Sequence, residues 1–207
     1  MATKNLKNIF LSASIPLPDR HPKYIETADI IAIRDAVIAL TTVVLPHHRI
    51  IWGGHPSITP LIYYVMEKLD MNIQEHVILY QSKLFEKFFP EDNNKFENVV
   101  LTEIINNDRD LSLLHMRERM LNESDFAAGV FIGGMEGIEG DRQKEIAGEY
   151  QMFIERHSEA IVIPVASTGA ATKMVYDNFF PEDLKNRRFE KDYGYMSLFQ
   201  DFLMNKI

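Results

Sequence analysis

Residues 127–137 read AAGVFIGGMEG, an apolar run of strand length that stops at a glycine pair. Such a run, bounded by glycine, predicts a buried strand over 127–132 feeding a tight loop. Outward from it the chain keeps the same alternation. Short β-branched or apolar runs predict strands over 8–12, 49–52, 76–80, 98–102 and 160–165. Helical patterns fall between them, over 27–44, 57–69, 109–121 and 139–157, with 169–178 and 193–204 in the tail. Strands alternating with helices make an α/β fold: a mainly parallel sheet with helices on both faces, here a single Rossmann-like domain. It is expected to span 1–207, with a core of about 8–178 and a C-terminal helical extension over 179–207. The segments 90–95 (PEDNNK) and 181–188 (PEDLKNRR) read as solvated surface loops.

Composition narrows the function classes. The chain has 207 residues, 46% of them hydrophobic and 25% charged, which excludes a disordered or low-complexity protein. The absence of cysteine removes disulfides, thiolate nucleophiles and Cys-ligated zinc together. A net charge of −8 makes bulk nucleic acid a poor partner, while leaving room for one small phosphate in a local pocket. No apolar stretch is long enough to span a membrane, and MATKNLKNIF at the start is too polar for a signal-peptide core. The expected location is the cytoplasm.

In an open α/β sheet, ligands bind beyond the carboxyl ends of the strands. Four such junctions are small or polar: Ser12-Ala13-Ser14, Gly53-Gly54-His55-Pro56-Ser57, Gly133-Gly134-Met135-Glu136-Gly137 and Ala166-Ser167-Thr168-Gly169. Six of the 10 glycines fall in three of them. Glycine lets backbone approach an oxyanion closely, and a helix start beyond supplies unpaired N–H donors. Ser57 or Thr59 can cap the helix that has Pro60 in its first turn. The bland reading is tight strand-to-helix turns; four equivalent junctions favour a phosphate or nucleotide pocket.

The helix over 109–121 carries an arginine on its apolar stripe. Leu113, Leu114, Met116, Met120 and Leu121 form one arc, with Arg117 inside it, whereas His115 and Arg119 fall on the polar side. A guanidinium there must find a partner, either an internal carboxylate or the phosphate or carboxylate of a ligand. Glu136, Glu139 and Asp141 crowd the second glycine loop. On a helix beginning at Glu139, that carboxylate shares the inward face of Ile146, Tyr150 and Phe153, while Asp141 points away. Capping, ribose binding and acid–base work on a glycosidic bond all suit such carboxylates. The seven histidines show no metal-ligand spacing, so neither metal nor cofactor is expected. G-x-S-x-G, P-loop and G-x-G-x-x-G patterns are absent.

In this order the four junctions resemble the SLOG superfamily, which groups LOG phosphoribohydrolases, DprA/Smf proteins and the TRPM-channel sensor domain. Ile9-Phe10-Leu11-Ser12-Ala13-Ser14 stands where LOG enzymes run a strand into a Gly-Ser-Ser turn, and Ile51-Trp52-Gly53-Gly54-His55-Pro56 where they have a glycine-rich loop. Their later signature is an arginine-bearing helix, then P-G-G-x-G-T-x-x-E. Arg117 precedes Gly133 by 16 residues, the spacing of that arginine. Ile132 replaces the proline and Glu136 is inserted, so that Asp141 takes the place of the signature glutamate, while the helical wheel prefers Glu139. Together with V-A-S-T-G after the last strand, the pattern is closest to SLOG proteins of bacterial defence systems.

The resemblance implies binding or sensing of a nucleotide-derived signal. Gly53, Gly54, Gly133 and Gly134 would cradle phosphate and Arg117 would clamp it. Ser12, Ser14, Ser167 and Thr168 would meet sugar or base, Glu136 or Glu139 the ribose, with His55, Ser57, Gly137 and Gly169 completing the pocket. The alternative is a LOG-like hydrolase of an N-glycosidic bond, with Arg117 holding phosphate and Glu139 or Asp141 as the catalytic carboxylate. DprA-like DNA binding is disfavoured by the charge. The apolar tail, through Tyr195, Met196, Leu198, Phe199, Phe202 and Leu203, exceeds what a one-sided helix needs, which predicts a homodimer or larger homo-oligomer.

Overall fold

The two central strands are buried on both faces, as strands covered from above and below must be. The computed structural model describes residues 6–19, 22–69, 74–89, 91–141 and 146–207. Within them β1 (Asn8–Ser14), β2 (Arg49–Trp52), β3 (Val77–Ser82), β4 (Val99–Thr102), β5 (Phe126–Gly133) and β8 (Ile161–Val165) form one all-parallel sheet. Its order is β4-β3-β2-β1-β5-β8. A separate two-stranded ribbon pairs β6 (Gly140–Asp141) with β7 (Ile146–Ala147). The helices are α1 (Pro22–Ile25), α2 (Ile30–Val44), α3 (Thr59–Lys68), α4 (Arg109–Asn122), α5 (Glu136–Glu139), α6 (Glu149–Arg156), α7 (Ala170–Asn178), α8 (Arg187–Lys191) and α9 (Tyr195–Phe199).

The chain walks outward from β1 to β4, then returns to lay β5 against the other edge of β1. Right-handed crossovers in opposite directions put their helices on opposite faces. Thus α2 packs with α3, and α4 with α6. The reversal between β1 and β5 is the topological switch point, where such sheets open a crevice. The core runs through both layers: Phe10 stacks on Phe153 of α6 at 5.3 Å between ring centroids, and Phe131 meets the same ring edge-on.

All six sheet strands lie within two residues of their expected ends. The expected helix over 139–157 does not form as one piece. Gly140, at φ +87°, ends α5 after one turn, and α6 begins only after Gly148. A Cβ on Gly148 would sit 2.2 Å from the Ile138 carbonyl oxygen, so this crossing admits only glycine. Upstream, α2 starts at Ile30 because the Asp29 side chain accepts from the Ala32 N–H at 2.9 Å. Asn93 lies in a 3₁₀ turn over Glu91–Lys95 and is buried, so the segment expected to be a solvated loop is partly core.

The tail joins the core rather than lying on it. Phe189, Tyr195, Leu198, Phe199 and Leu203 are buried among the residues of the sheet and α2. α9 then continues into a π turn over Gln200–Met204. Burial pushes the Tyr195 hydroxyl up to about 12, which keeps it neutral where it shares a hydrogen bond with Ser167 at 3.2 Å. The apolar surplus expected to need a second subunit is therefore mostly covered within the chain, with Tyr193 and Met196 left exposed. Removing the wholly buried ring in Phe199→Ala should cost about 3–5 kcal/mol. Urea denaturation measures it, and a loss below about 1 kcal/mol would show that the tail is not part of the cooperative core.

Candidate functional site

At the switch point the carboxyl ends of β1, β2 and β3 and the loop after β5 enclose a cavity of about 710 Å³, closed from one side by α4 and the start of α6. Ser12, Ser14, Gly53, Gly54, His55, Ser57, Arg117, Glu136 and Gly137 line it together. Three of the four expected junctions thus meet in one place.

Arg117 is the organising side chain. It leaves the apolar stripe of α4, where Met116, Met120 and Leu121 are buried, and its Nε donates to Glu149 Oε1 at 3.0 Å. The two side chains are only 13% and 14% exposed. The second oxygen of Glu149, Oε2, accepts from Ser12 Oγ. Strand β1, helix α4 and helix α6 are thereby joined through one carboxylate. Both nitrogens of the guanidinium fork have no hydrogen-bond partner among the described residues. Gly137 makes room for the fork: a Cβ there would lie 3.0 Å from Nη2. So the internal ion pair and the open fork, which were competing readings of this arginine, coexist. A second cation, Arg109, lines the same cavity from the first turn of α4 and is exposed.

Glu149 is the carboxylate the sequence reading missed. Glu139, preferred on the helical wheel, instead accepts from Lys23 Nζ at 2.7 Å and Tyr24 Oη at 2.8 Å, and it does not line the cavity. The wheel fails because the helix it assumed is broken at Gly140 and Gly148. Asp141 contributes its backbone to β6, and its side chain lies outside the described part of the structure. The available signal was Gly148 itself, a glycine entry followed by Glu149 in a first turn and by Tyr150 and Phe153 on the inward face.

The glycine pair after β5 has a different duty from the one expected. The Gly133 N–H donates to Thr168 Oγ1 at 2.8 Å and the Gly134 N–H to the Ser14 carbonyl at 2.9 Å. Both donors are spent inside the protein, so neither is left to cradle an anion. Gly133, at φ +59° and with Ile33 and the Ser14 carbonyl within 3 Å of any added Cβ, is needed for the fit. The fourth junction lies behind this loop rather than in the cavity. Thr168 Oγ1 also donates to the Val165 carbonyl, Ser167 bonds Tyr195, and Gly169 passes against the Thr27 carbonyl. Neither Ser57 nor Thr59 caps α3: its N-cap is Ile58, while the Ser57 N–H donates to His55 Nδ1 at 3.2 Å. No cluster of three metal-ligating side chains occurs among the described residues, nor does a helix long and apolar enough to cross a membrane.

An all-parallel Rossmann-like sheet, with an arginine from the fourth crossover helix aimed at the switch point beside a glycine loop, defines a domain of the SLOG superfamily. More narrowly, residues 23–203 match the SLOG cluster3 family, and the chain belongs to it. A comparison with curated proteins finds no match.

If Arg117 and Glu149 hold each other as well as the three elements, their contributions to stability should not add. A double-mutant cycle on Arg117→Met and Glu149→Gln, read by urea unfolding, should give a coupling of about 1–3 kcal/mol. Strict additivity would remove the pair from its structural role.

Proposed function

We propose that the cavity binds a nucleotide or nucleotide-derived anion, with the Arg117 fork meeting phosphate. The observation that carries this reading is the fork itself: a nearly buried guanidinium on a cavity wall, held at Nε by Glu149 and with its other nitrogens unbonded among the described residues. Such a planar group is preorganised for bidentate contact with two oxygens of an anion. Arg109, paired with Asp110 at 3.3 Å, lines the same wall, and the remaining Ser12 and Ser14 atoms offer polar contacts to a sugar. Membership of a SLOG family supports a nucleotide-related role, and the resemblance to SLOG proteins of bacterial defence systems supports a signal that is read.

A second reading is favoured by Glu149. A carboxylate fixed by Arg117 and Ser12 suits the stabilisation of positive charge growing at an anomeric carbon. Water would then add to that carbon, and the base would leave with a proton. Mass spectrometry after incubation with nucleoside 5′-monophosphates separates the two: free base identifies the hydrolase, unchanged nucleotide the sensor. In either case Arg117→Lys should weaken binding at least about 10-fold while leaving the melting temperature nearly unchanged, since a fork becomes a point charge that still pairs with Glu149. Unaltered affinity in a folded variant would overturn the assignment.

Self-association belongs to the same reading, though on a smaller surface than the sequence suggested. Tyr193, 62% exposed, and Met196, 50% exposed, border a groove of about 370 Å³ between α2 and the tail. Truncation before the tail would remove core residues, so Met196→Asp is the better probe. Light scattering should show a full-length dimer that dissociates in this variant. A monodisperse full-length monomer ends the idea.

A further inference from the structure

The wall of the cavity formed by β3 and the turn after it brings no charged side chain to the lining. Gln81, at the end of β3, is buried to 7% exposure and lines the cavity. Its Oε1 accepts from Asn93 Nδ2 at 2.7 Å. That bond fixes the amide plane and turns Nε2 away from Asn93, toward Gly54, where an added Cβ would lie 2.2 Å from it. Among the described residues Nε2 has no hydrogen-bond partner. Asn93 Oδ1 is left buried without one, and an unpaired carbonyl oxygen is better tolerated than an unpaired N–H. This favours the orientation that presents Gln81 as a donor. Just beyond, the 3₁₀ turn Lys83–Phe88 carries Phe88, 77% exposed, at the rim of the same cavity. Phe85 and Phe89 also line it.

We infer that this wall is a base-reading subsite: Phe88 stacks on a planar heterocycle, and Gln81 Nε2 donates to an acceptor on the edge of that ring. This rests on the proposed nucleotide reading and deepens it. The chemistry selects an oxo-bearing edge, as in hypoxanthine or uracil, over the amino counterpart in adenine or cytosine. An amino group facing Nε2 would set donor against donor and leave a buried polar group unpaired. Gly54 is small because a side chain there would occupy the place of the Gln81 amide.

Isothermal titration with inosine 5′-monophosphate, adenosine 5′-monophosphate and ribose 5-phosphate tests it. The inosine nucleotide should bind about 10-fold more tightly than either of the others. Gln81→Glu keeps the acceptor for Asn93 and removes the donors, so it should abolish the preference for inosine over adenosine. Phe88→Ala, at an exposed position that the fold does not need, should cut binding of both nucleotides about 10-fold and leave ribose 5-phosphate unchanged. Retention of the full inosine preference in Gln81→Glu would overturn the subsite. So would a parallel loss of all three ligands in Gln81→Glu with no effect of Phe88→Ala. Failure of wild-type protein to bind any of the three would instead fell the nucleotide reading beneath it.

Discussion

A guanidinium cannot give up its charge, so an arginine on an apolar helix face dictates what must surround it. Around Arg117 those consequences can be followed outward. Glu149 has to be brought to it, which fixes where α6 begins; Ser12 then satisfies the other carboxylate oxygen, which ties α6 to the end of β1. Gly137 leaves the fork its space, since a Cβ there would lie 3.0 Å from Nη2. The three elements that border the switch point are thus held by polar contacts, while the aromatic cluster of Phe10, Phe131 and Phe153 packs β1 and β5 against α6. Charge and packing agree on one arrangement, and the cavity is what remains between them.

The strands were legible because their signal is local. A buried parallel strand is a short apolar run with glycine or a polar residue at its end, and nothing distant alters that. The long helix over 139–157 was not legible, because its apolar spacing continued smoothly across two glycines that a tertiary crossing had claimed. Arg117 could be singled out from its own helix, whereas Glu149 required knowing that Gly148 passes against the Ile138 carbonyl. The same holds for the glycine pair after β5. Sequence shows that close approach is allowed there, not which acceptor takes the N–H, and Thr168 and Ser14 had already taken both. Buried Asn93, inside a run of charged residues, gave no compositional hint of its bond to Gln81.

The negative charge of the molecule is not carried into its cavity. The chain carries −8 overall, yet in the cavity lining Arg117 and Arg109 are balanced against Glu149 and Glu136, and the open side of the Arg117 fork is its positive feature. A surface of that sign repels polyanions at long range and leaves attraction to a small anion only at close quarters. Size and charge therefore select in the same direction, since a small ligand can enter while an extended nucleic acid meets repulsion over most of its length.

The crossing at Gly148 separates two quantities usually read as one: distance along the chain and position in space. Because the backbone at Gly148 rests directly on that of Ile138 and Gly140, the ribbon of β6 and β7 leaves and returns at a single point, like a loop of thread through an eyelet. What the carboxylate of Glu149 needs is the eyelet, not a given length of thread. Lengthening the excursion would cost little closure entropy and leave the ion pair in register. A motif defined by counting residues from the glycine loop will misplace this carboxylate wherever such an excursion occurs, whereas one anchored on the returning glycine will find it.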